Sequence, residues 1–133
     1  MSHVTNEIHI ERSPDDVWAV TGDFAGLDTW MPGITRCDMV ADGIRDVYMG
    51  DILTAKEQLV ERDEESRVLA YSIIGGGLPI EEHVSRITVV VDGNGSKVTW
   101  AVDATPDKYA AILGGAYAGA LDALKSQLEG QSG

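Results

Sequence analysis

The sequence predicts an α+β domain in which a curved antiparallel sheet is covered on its inner face by one long C-terminal helix. Three observations support this fold class. Short runs of alternating apolar and polar residues follow one another between residues 34 and 103, two short helical stretches follow a first strand, and apolar residues recur at helical spacing from residue 107 onward. Alternation with a period of two is typical of strands, and a period of 3.6 is typical of helices.

The first strand and the helix after it are predicted by alternation and by end signals. Residues 4–12 (VTNEIHIER) mix apolar and polar side chains as a half-buried strand does. Ser13 is then a good N-cap, and Pro14 suits the first helical position because its missing N–H is not needed there. Asp15 and Asp16 fall in the first turn, where the helix dipole favours negative charge.

A second short helix is predicted over Leu27–Trp30. Gly22 and Gly26 weaken the first helix before it, because glycine disfavours the helix interior. Pro32-Gly33 then ends the helical segment. The sequence therefore predicts two short helices between the first strand and the rest of the sheet.

About six further strands are predicted between residues 34 and 104. Asp42-Gly43 and Gly93-Asn94-Gly95 are hairpin-turn signals, and the runs between turns are short and closely spaced. This spacing is typical of an antiparallel sheet. The predicted strands cover residues 35–41, 44–49, 53–63, 67–74, 80–92 and 97–104.

The last part of the chain predicts one long amphipathic helix. Thr105 would cap it, Pro106 would occupy its first position, and it would run from Asp107 to about Glu129, a length of about 33 Å. Residues 130–133 are expected to fray. The apolar face is made by Tyr109, Ile112, Leu113, Ala116, Tyr117, Ala120, Leu121, Leu124 and Leu128.

Three glycines interrupt this helix. Gly114, Gly115 and Gly119 each disfavour the helix by up to about 1 kcal/mol relative to alanine. Small residues there could make room for a ligand between the helix and the sheet. They could instead allow close packing against the strands or against a second subunit. The oligomeric state expected from the sequence is a monomer or a homodimer.

Composition excludes several classes of function. The 133 residues are expected to form a single domain, residues 1–133, with a formal net charge of −12. That charge argues against a nucleic-acid partner, which needs clustered Lys and Arg, and against docking on anionic membranes. One cysteine, Cys37, excludes an intramolecular disulfide. No signal peptide or membrane-inserting segment is predicted, so the expected location is cytoplasmic.

No cofactor or metal is predicted. His3, His9 and His83 show no metal-ligand spacing, and a single cysteine does not make a zinc site. The sequence also lacks a nucleotide-binding fingerprint and a nucleophile motif. Residues 75–77 (GGG) lack the G-K-[ST] ending of a phosphate loop, so a flexible connection between strands is the better interpretation.

Residues 13–34, SPDDVWAVTGDFAGLDTWMPGI, resemble the helical segment of the START-like superfamily, also known as SRPBCC or the polyketide cyclase/dehydrase and lipid transport family. The elements S-P-x-x-V-W, G-D-F and W-x-P-G-[VI] are all present, and the similarity continues along essentially the whole chain. The resemblance implies the helix-grip fold, a seven-stranded antiparallel sheet wrapped round the C-terminal helix with a hydrophobic cavity between them. It also implies that Trp30, Met31 and Pro32 lie near the cavity mouth and that the GGG loop gates the cavity.

Strand pairing predicts which polar side chains face this cavity. A hairpin around Gly50-Asp51 would place Arg45 opposite Glu57, on the face shared by Val47 and Leu59. The predicted pairs on this face are Arg45 with Glu57, Val47 with Ala55, and Met49 with Leu53. A charged pair there would be either a ligand anchor or a structural brace. A register slip of one residue would place both charges in solvent instead.

Three more inward residues follow from alternation. Tyr71 is in phase with Leu69 and Ile73, and its hydroxyl suits either an oxygenated ligand or a core edge. His83 is in phase with Ser85, Ile87 and Val89, and it can act as an acid, a base or a packing residue. Trp100 alternates with Val98 and Val102, so its ring should face the interior. The predicted cavity residues are Trp30, Met31, Arg45, Val47, Glu57, Leu59, Tyr71, Ile73, Leu78, His83, Trp100, Leu113 and Tyr117.

Three functions are compatible with the resemblance. The first is binding or carriage of a small hydrophobic ligand, such as a lipid, an isoprenoid or a polyketide. The second is a polyketide aromatase/cyclase-type enzyme, in which Arg45, Tyr71 or His83 would be the catalytic candidates. The third is a protein-interaction module with a collapsed cavity. A polar cluster including His83 on one cavity wall would favour the enzyme, and a large apolar cavity without it would favour carriage.

Overall fold

The computed structural model describes residues 1–130, and residues 131–133, most of the segment expected to fray, lie outside the described residues. The described part of the chain folds into one curved sheet with a long helix against its inner face. The strands are β1 (Ser2–Ile10), β2 (Arg36–Ala41), β3 (Ile44–Met49), β4 (Ile52–Asp63), β5 (Val68–Gly75), β6 (Glu82–Asp92) and β7 (Gly95–Thr105). The helices are α1 (Pro14–Thr21), a short 3-10 helix (Phe24–Thr29) and α2 (Asp107–Gly130).

The sheet has the antiparallel architecture that the sequence predicts. Its seven described strands follow the order β1-β7-β6-β5-β4-β3-β2, and every neighbouring pair is antiparallel. Strands β2 to β7 form a meander, while β1 pairs with β7 and so brings the start of the chain beside the strand that leads into α2. The predicted helix-grip fold is confirmed.

The helical segment after β1 follows its predicted start signals. The side chain of Ser13 accepts a hydrogen bond from the backbone N–H of Asp16, and Pro14 opens α1. The second helix differs from the prediction, because it is a 3-10 helix over Phe24–Thr29 and not a helix over Leu27–Trp30. Gly26 has non-helical backbone angles in the middle of this helix, which prevents a regular α-helix there.

The pairing of β3 with β4 agrees with the prediction except next to the turn. Arg45 lies opposite Glu57, and Val47 lies opposite Ala55, as expected. The predicted pairing of Met49 with Leu53 is wrong, because Met49 pairs with Ile52 and the register shifts before Ala55. The two-residue turn at Gly50-Asp51, in which Gly50 has a positive φ of 62°, sets this pairing, and the extra residue in β4 is absorbed as a bulge.

Helix α2 begins at Asp107, as predicted, but its predicted start signals do not fit the structure. Thr105 is the last residue of β7, and its carbonyl accepts a hydrogen bond from the N–H of Glu81. Pro106, and not Thr105, is the residue directly before the helix, and its carbonyl accepts from the N–H of Tyr109. Pro106 lies between the strand and the helix, which starts at Asp107. The predicted cap at Thr105 and first helical position at Pro106 are therefore wrong, since β7 continues to Thr105.

Helix α2 packs chiefly against β1 and β7, at one side of the curved sheet. The amide of Asn6 donates a hydrogen bond to the carbonyl of Gly114 at 2.8 Å, and Lys125 Nζ donates to the carbonyl of His9 at 2.6 Å. A Cβ placed on Gly114 would lie 2.5 Å from Cγ1 of Val4. The absence of a side chain at Gly114 thus permits the close approach of α2 to β1.

We expect Gly114→Ala to destabilise the protein although alanine is the better helix former. The added methyl group would overlap Val4, and overpacking of this kind typically costs about 1–3 kcal/mol. Gly115→Ala is the matched control, because a Cβ there meets no atom within 4 Å and should stabilise the helix by up to about 1 kcal/mol. Urea unfolding of both variants measures the difference, and equal stability of the two would contradict the close approach.

Candidate functional site

A cavity of about 480 Å³ lies between α2 and strands β3, β4 and β5. This side of the sheet faces α2 without close packing, because the helix is held against β1 and β7. Pockets that hold small organic ligands typically measure about 300–1,000 Å³. Met49 and Ile112 are largely exposed, and both lie on the cavity wall, so the cavity opens to solvent on their side.

The helix contributes small or apolar residues to the wall. At Gly115 and Gly119 an added Cβ would meet no atom within 4 Å, so these positions leave space beside the helix. Gly114, in contrast, permits close packing of the helix on β1. The glycines of α2 thus both make room for a ligand, at Gly115 and Gly119, and allow close packing against a strand, at Gly114. The wall residues from α2 are Ile112, Leu113, Gly115, Ala116, Tyr117, Gly119 and Ala120.

The sheet and the connecting segments contribute the rest of the wall, which is mainly apolar. Glu57 is the one charged wall residue in the described chain, and the hydroxyls of Tyr71, Tyr117 and Thr54 are the other polar side-chain groups. The wall residues outside α2 are Leu27, Met31, Pro32, Ile34, Val47, Met49, Thr54, Ala55, Glu57, Tyr71, Ile73 and Leu78.

Glu57 is paired with Arg45, which lies behind the wall. Arg45 Nε and Nη2 approach Oε1 of Glu57 at 2.8 and 2.7 Å, and both side chains are buried. Arg45 Nη1 donates to the carbonyl of Phe24 at 2.6 Å, and the guanidinium carbon lies 4.0 Å from the Phe24 ring centre. Burial raises the pKa of the Glu57 carboxyl, and the Arg45 charge opposes that shift.

These contacts give the Arg45–Glu57 pair a bracing role. Arg45 connects β3 to β4 through Glu57 and to the 3-10 helix through Phe24, and it is not part of the cavity wall. Both residues face inward, so the alternative register that would expose them does not occur. Of the two residues, only Glu57 lines the cavity.

A chain of hydrogen bonds begins on the cavity wall and leads into the core. The hydroxyls of Tyr71 and Tyr117 are 2.9 Å apart, Tyr117 Oη is 2.8 Å from Ser85 Oγ, and Ser85 Oγ is 2.8 Å from His83 Nε2. The other nitrogen of His83, Nδ1, accepts the backbone N–H of Ile73 at 2.9 Å. Two tyrosines on the wall are thus connected to a histidine that does not reach it.

Burial determines the protonation of this chain. It lowers the pKa of His83 from the usual 6.5 to about 4, so the imidazole is neutral at neutral pH. Burial also raises the pKa of both phenols above the usual value of 10, so Tyr71 and Tyr117 keep their protons. The four groups are therefore uncharged hydrogen-bonding groups at neutral pH.

The structure places eight of the thirteen predicted cavity residues on the wall. They come from the loop after the 3-10 helix, from β3 to β5, from the connection after β5 and from α2. Leu78, in that connection, contributes to the wall directly after the GGG segment. The eight residues are Met31, Val47, Glu57, Tyr71, Ile73, Leu78, Leu113 and Tyr117.

The other five lie away from the wall. Trp100 is stacked on the Tyr117 ring with centres 3.8 Å apart, and Trp30 packs on Trp100 at 5.3 Å, so both indoles are core residues behind the tyrosine. Arg45 lies beneath Glu57, as described, and His83 lies behind Ser85. Leu59 is next to the β2–β3 turn, where its N–H bonds to the carbonyl of Gly43. Alternation predicted the inward orientation of Arg45, Leu59, His83 and Trp100 but did not indicate whether they reach the cavity. The implied position of Trp30 near the cavity mouth is wrong, because its ring packs on Trp100 in the core.

Sequence reasoning missed several wall residues in the sheet. Thr54 reaches the wall at the bulge near the β3–β4 turn, which strict alternation does not predict. Met49 and Ala55 lie on the predicted inward face but are not among the predicted cavity residues. Leu27 lies in the 3-10 helix and Ile34 lies in the segment after it, on either side of the predicted mouth residues, and both line the cavity. Ile112 belongs to the predicted apolar face of α2, and the residue is 55% exposed at the opening.

Two kinds of feature are absent from the described residues. Within residues 1–130, no three His, Cys, Asp or Glu side chains lie together in a group that could hold a metal ion. None of the helices described over the same residues has the length and apolar character needed to cross a membrane.

Comparison with known proteins identifies a family model and several solved structures. The model described as polyketide cyclase / dehydrase and lipid transport matches residues 1–129. The solved structure of XoxI from Bacillus cereus is 27% identical, with a TM-score of 0.88 over 96% of this chain and 95% of that chain. A putative uncharacterized protein from Bacillus thuringiensis is also 27% identical, with a TM-score of 0.85 over 95% and 98% of the two chains.

A third structure shares the fold at lower similarity. Norcoclaurine synthase from Thalictrum flavum, in complex with dopamine and hydroxybenzaldehyde, is 24% identical, with a TM-score of 0.73 over 99% of this chain and 88% of that chain. A search of the curated proteins found no match to the sequence.

Replacing Arg45 alone should strongly destabilise the protein. Arg45→Met would leave the buried Glu57 without its partner and the carbonyl of Phe24 without its donor, and breaking a buried pair in this way typically costs about 3–5 kcal/mol. Arg45→Met with Glu57→Leu removes both charges and should recover part of that loss. Urea unfolding of the two variants checks this, and a single variant as stable as the original protein would contradict the bracing role.

Stability should also depend on pH through His83. The folded pKa is depressed, so between pH 6.5 and about 4 the unfolded chain binds a proton that the folded chain does not, and stability falls as the pH falls. The full loss is on the order of 3 kcal/mol. His83→Gln keeps one acceptor and one donor but does not titrate, so its unfolding free energy should fall less steeply over this range. Identical pH profiles of the two proteins would contradict the expectation.

Proposed function

This chain belongs to the polyketide cyclase/dehydrase and lipid transport family, and from that premise we propose that it binds and carries a small hydrophobic molecule in the cavity between α2 and strands β3 to β5. The observation that carries the proposal is the cavity itself, with a volume of about 480 Å³ and a mainly apolar wall. Burial of apolar ligand surface there would provide about 25 cal/mol for each Å² removed from water.

The geometry supports binding more than a protein-interaction role with a collapsed cavity. Gly115 and Gly119 leave space that larger side chains on α2 would fill. Met49 and Ile112 place exposed apolar surface at the opening, where an apolar ligand would enter. Lipids, isoprenoids and polyketide-like molecules are the ligand classes that such a wall suits.

A cyclase-type enzyme is the second candidate, and Glu57 is the observation that favours it. A buried carboxyl with a raised pKa on a cavity wall is a common form of general acid or base. Three features weigh against it here: Arg45 holds Glu57, His83 does not reach the wall, and both wall tyrosines keep their protons at neutral pH. Conversion of a bound molecule to one of different mass would favour the enzyme over carriage.

Native mass spectrometry of freshly purified protein, followed by solvent extraction, tests the proposal directly. We expect an adduct of small-molecule mass that dissociates on activation and is recovered in the organic phase. Protein produced in several hosts should retain apolar species in at least one of them. Protein free of ligand from every host, which also takes up no added fatty acid, isoprenoid or aromatic ketone, would contradict the proposal.

Filling the cavity should abolish binding without unfolding the protein. Ala116 and Ala111 are both exposed positions of α2, but only Ala116 is part of the wall. Ala116→Phe therefore adds a ring at the cavity wall, whereas Ala111→Phe makes the same change away from it. The first variant should lose at least tenfold in affinity for a ligand that the original protein retains, and the second should bind as the original protein does. Isothermal titration calorimetry measures both, and equal affinities would place the ligand elsewhere.

A further inference from the structure

The donor and acceptor in each hydrogen bond behind the cavity wall are determined at the point where β5 and β6 separate. Their ladder ends at the pair Tyr71 and Ser85, although both strands continue beyond it. The next inward amide of β5, the N–H of Ile73, donates to Nδ1 of His83 at 2.9 Å. A backbone N–H can only donate, so Nδ1 carries the lone pair of the imidazole.

This bond determines the position of the histidine proton. A neutral imidazole has one N–H, and with Nδ1 acting as acceptor that proton is on Nε2. Nε2 lies 2.8 Å from Ser85 Oγ, so His83 donates to Ser85 and cannot accept from it. The low pKa of His83 is consistent with the neutral form.

The hydrogen-bonded series His83–Ser85–Tyr117–Tyr71 has one more polar proton than it has hydrogen bonds. His83 Nε2, Ser85 Oγ, Tyr117 Oη and Tyr71 Oη each carry one proton. They are joined by three hydrogen bonds, from His83 to Ser85, from Ser85 to Tyr117, and between the two tyrosines. Ser85 Oγ has two lone pairs and could accept from both His83 and Tyr117, but its own proton would then be buried without an acceptor, because its hydroxyl has no other hydrogen-bond partner among the described residues. Donation from Ser85 to Tyr117 avoids that cost. One proton of the tyrosine pair therefore has no partner among the described residues, whichever tyrosine donates to the other.

The unpaired proton lies on the cavity wall. Tyr71 and Tyr117 are both wall residues, whereas Ser85 and His83 lie behind them. Glu57 receives the hydrogen bonds of Arg45, and neither tyrosine hydroxyl bonds to it in the described structure. The Thr54 hydroxyl on the wall donates to the carbonyl of Ile52. The cavity thus presents one unpaired hydroxyl donor within an otherwise mainly apolar wall.

We propose that the cavity selects an apolar molecule that carries a carbonyl oxygen, which accepts a hydrogen bond from the Tyr71–Tyr117 pair. This inference rests on the proposed function and specifies its ligand class. A hydrocarbon of the same shape would bury the hydroxyl donor without a partner, and a buried donor left unpaired is unfavourable. A ketone of the same shape satisfies it.

Two probes of nearly equal shape test the preference. 2-Acetylnaphthalene has a ketone where 2-isopropenylnaphthalene has a methylene group, so the pair differs in the acceptor and hardly in volume. We expect the ketone to bind the original protein five- to tenfold more tightly by isothermal titration calorimetry. The stretching frequency of a ¹³C-labelled carbonyl should also fall on binding, because a donated hydrogen bond weakens the C=O bond.

The proton count makes a specific prediction for tyrosine variants. Tyr71→Phe leaves an unpaired proton on Tyr117, and Tyr117→Phe leaves one on Tyr71, so each single variant should retain most of the ketone preference. The double variant Tyr71→Phe/Tyr117→Phe has no donor on this part of the wall. It should bind both probes with equal affinity and show no shift in the carbonyl frequency.

Ser85→Ala is the matched control. It removes a hydroxyl from the same chain but leaves two tyrosine protons for one hydrogen bond, so the ketone preference should persist. Thermal unfolding of each variant verifies that it is folded. Retention of the preference in the double tyrosine variant, or its loss in a folded Ser85→Ala, would overturn the inference.

The outcomes also separate this inference from the proposed function. Equal binding of both probes to the original protein would overturn the preference for a carbonyl and leave carriage of apolar ligands supported. Binding of neither probe, together with protein free of ligand from every host, would overturn both. A five- to tenfold preference that only the double variant loses would support both.

Discussion

The close approach of α2 to β1 at Gly114 is the constraint on which the cavity depends. Val4 occupies the place where a side chain at this position would lie, and Asn6 and Lys125 make further bonds between the helix and β1. A helix held against one side of a curved sheet cannot also fill the space beside the other side. The gap therefore appears opposite β3 to β5, and the small residues that follow Gly114 keep it open.

The polar character of the wall comes from a different part of the sheet. Where β5 and β6 separate, the N–H of Ile73 has no main-chain partner on β6, and the imidazole of His83 satisfies it. Buried polar groups must find partners, so the remaining bond of His83 continues through Ser85 to the two tyrosines. The end of the β5–β6 ladder thus determines, through His83 and Ser85, that a tyrosine hydroxyl on the cavity wall has an unpaired proton.

The sequence predicted the architecture and the inward orientation of most site residues. Alternation within β5, β6 and β7 correctly indicated that Tyr71, His83 and Trp100 point to the interior, since these strands are long and regular. It could not indicate which of them reach the cavity, because that depends on where α2 lies above the sheet. That position follows from one contact between Gly114 and Val4, which are 110 positions apart in the chain and leave no local signal.

Irregular geometry limited the prediction in the same way at two other places. The bulge after the tight turn at Gly50 brings Thr54 to the wall and gives Met49 the partner Ile52 in place of Leu53, and a strict period of two predicts neither. The backbone angles at Gly26 replace an α-helix by a 3-10 helix and so determine how Leu27 meets the cavity. Periodicity describes regular elements, and cavity walls are formed largely where regular elements are interrupted.

The size of the cavity and its preference for a ligand with an acceptor oxygen therefore depend on different parts of the fold. The size of the cavity follows from the placement of α2, whereas its donor follows from the separation of β5 and β6. Tyr71 and Tyr117 are nearly inaccessible to solvent, and Met49 and Ile112 are exposed at the opening, so the donor lies at the inner end of the cavity. A ligand held by its oxygen at the inner end would direct its apolar part towards the opening. Such an arrangement tolerates apolar parts of different lengths, because the additional atoms extend outward past Met49 and Ile112.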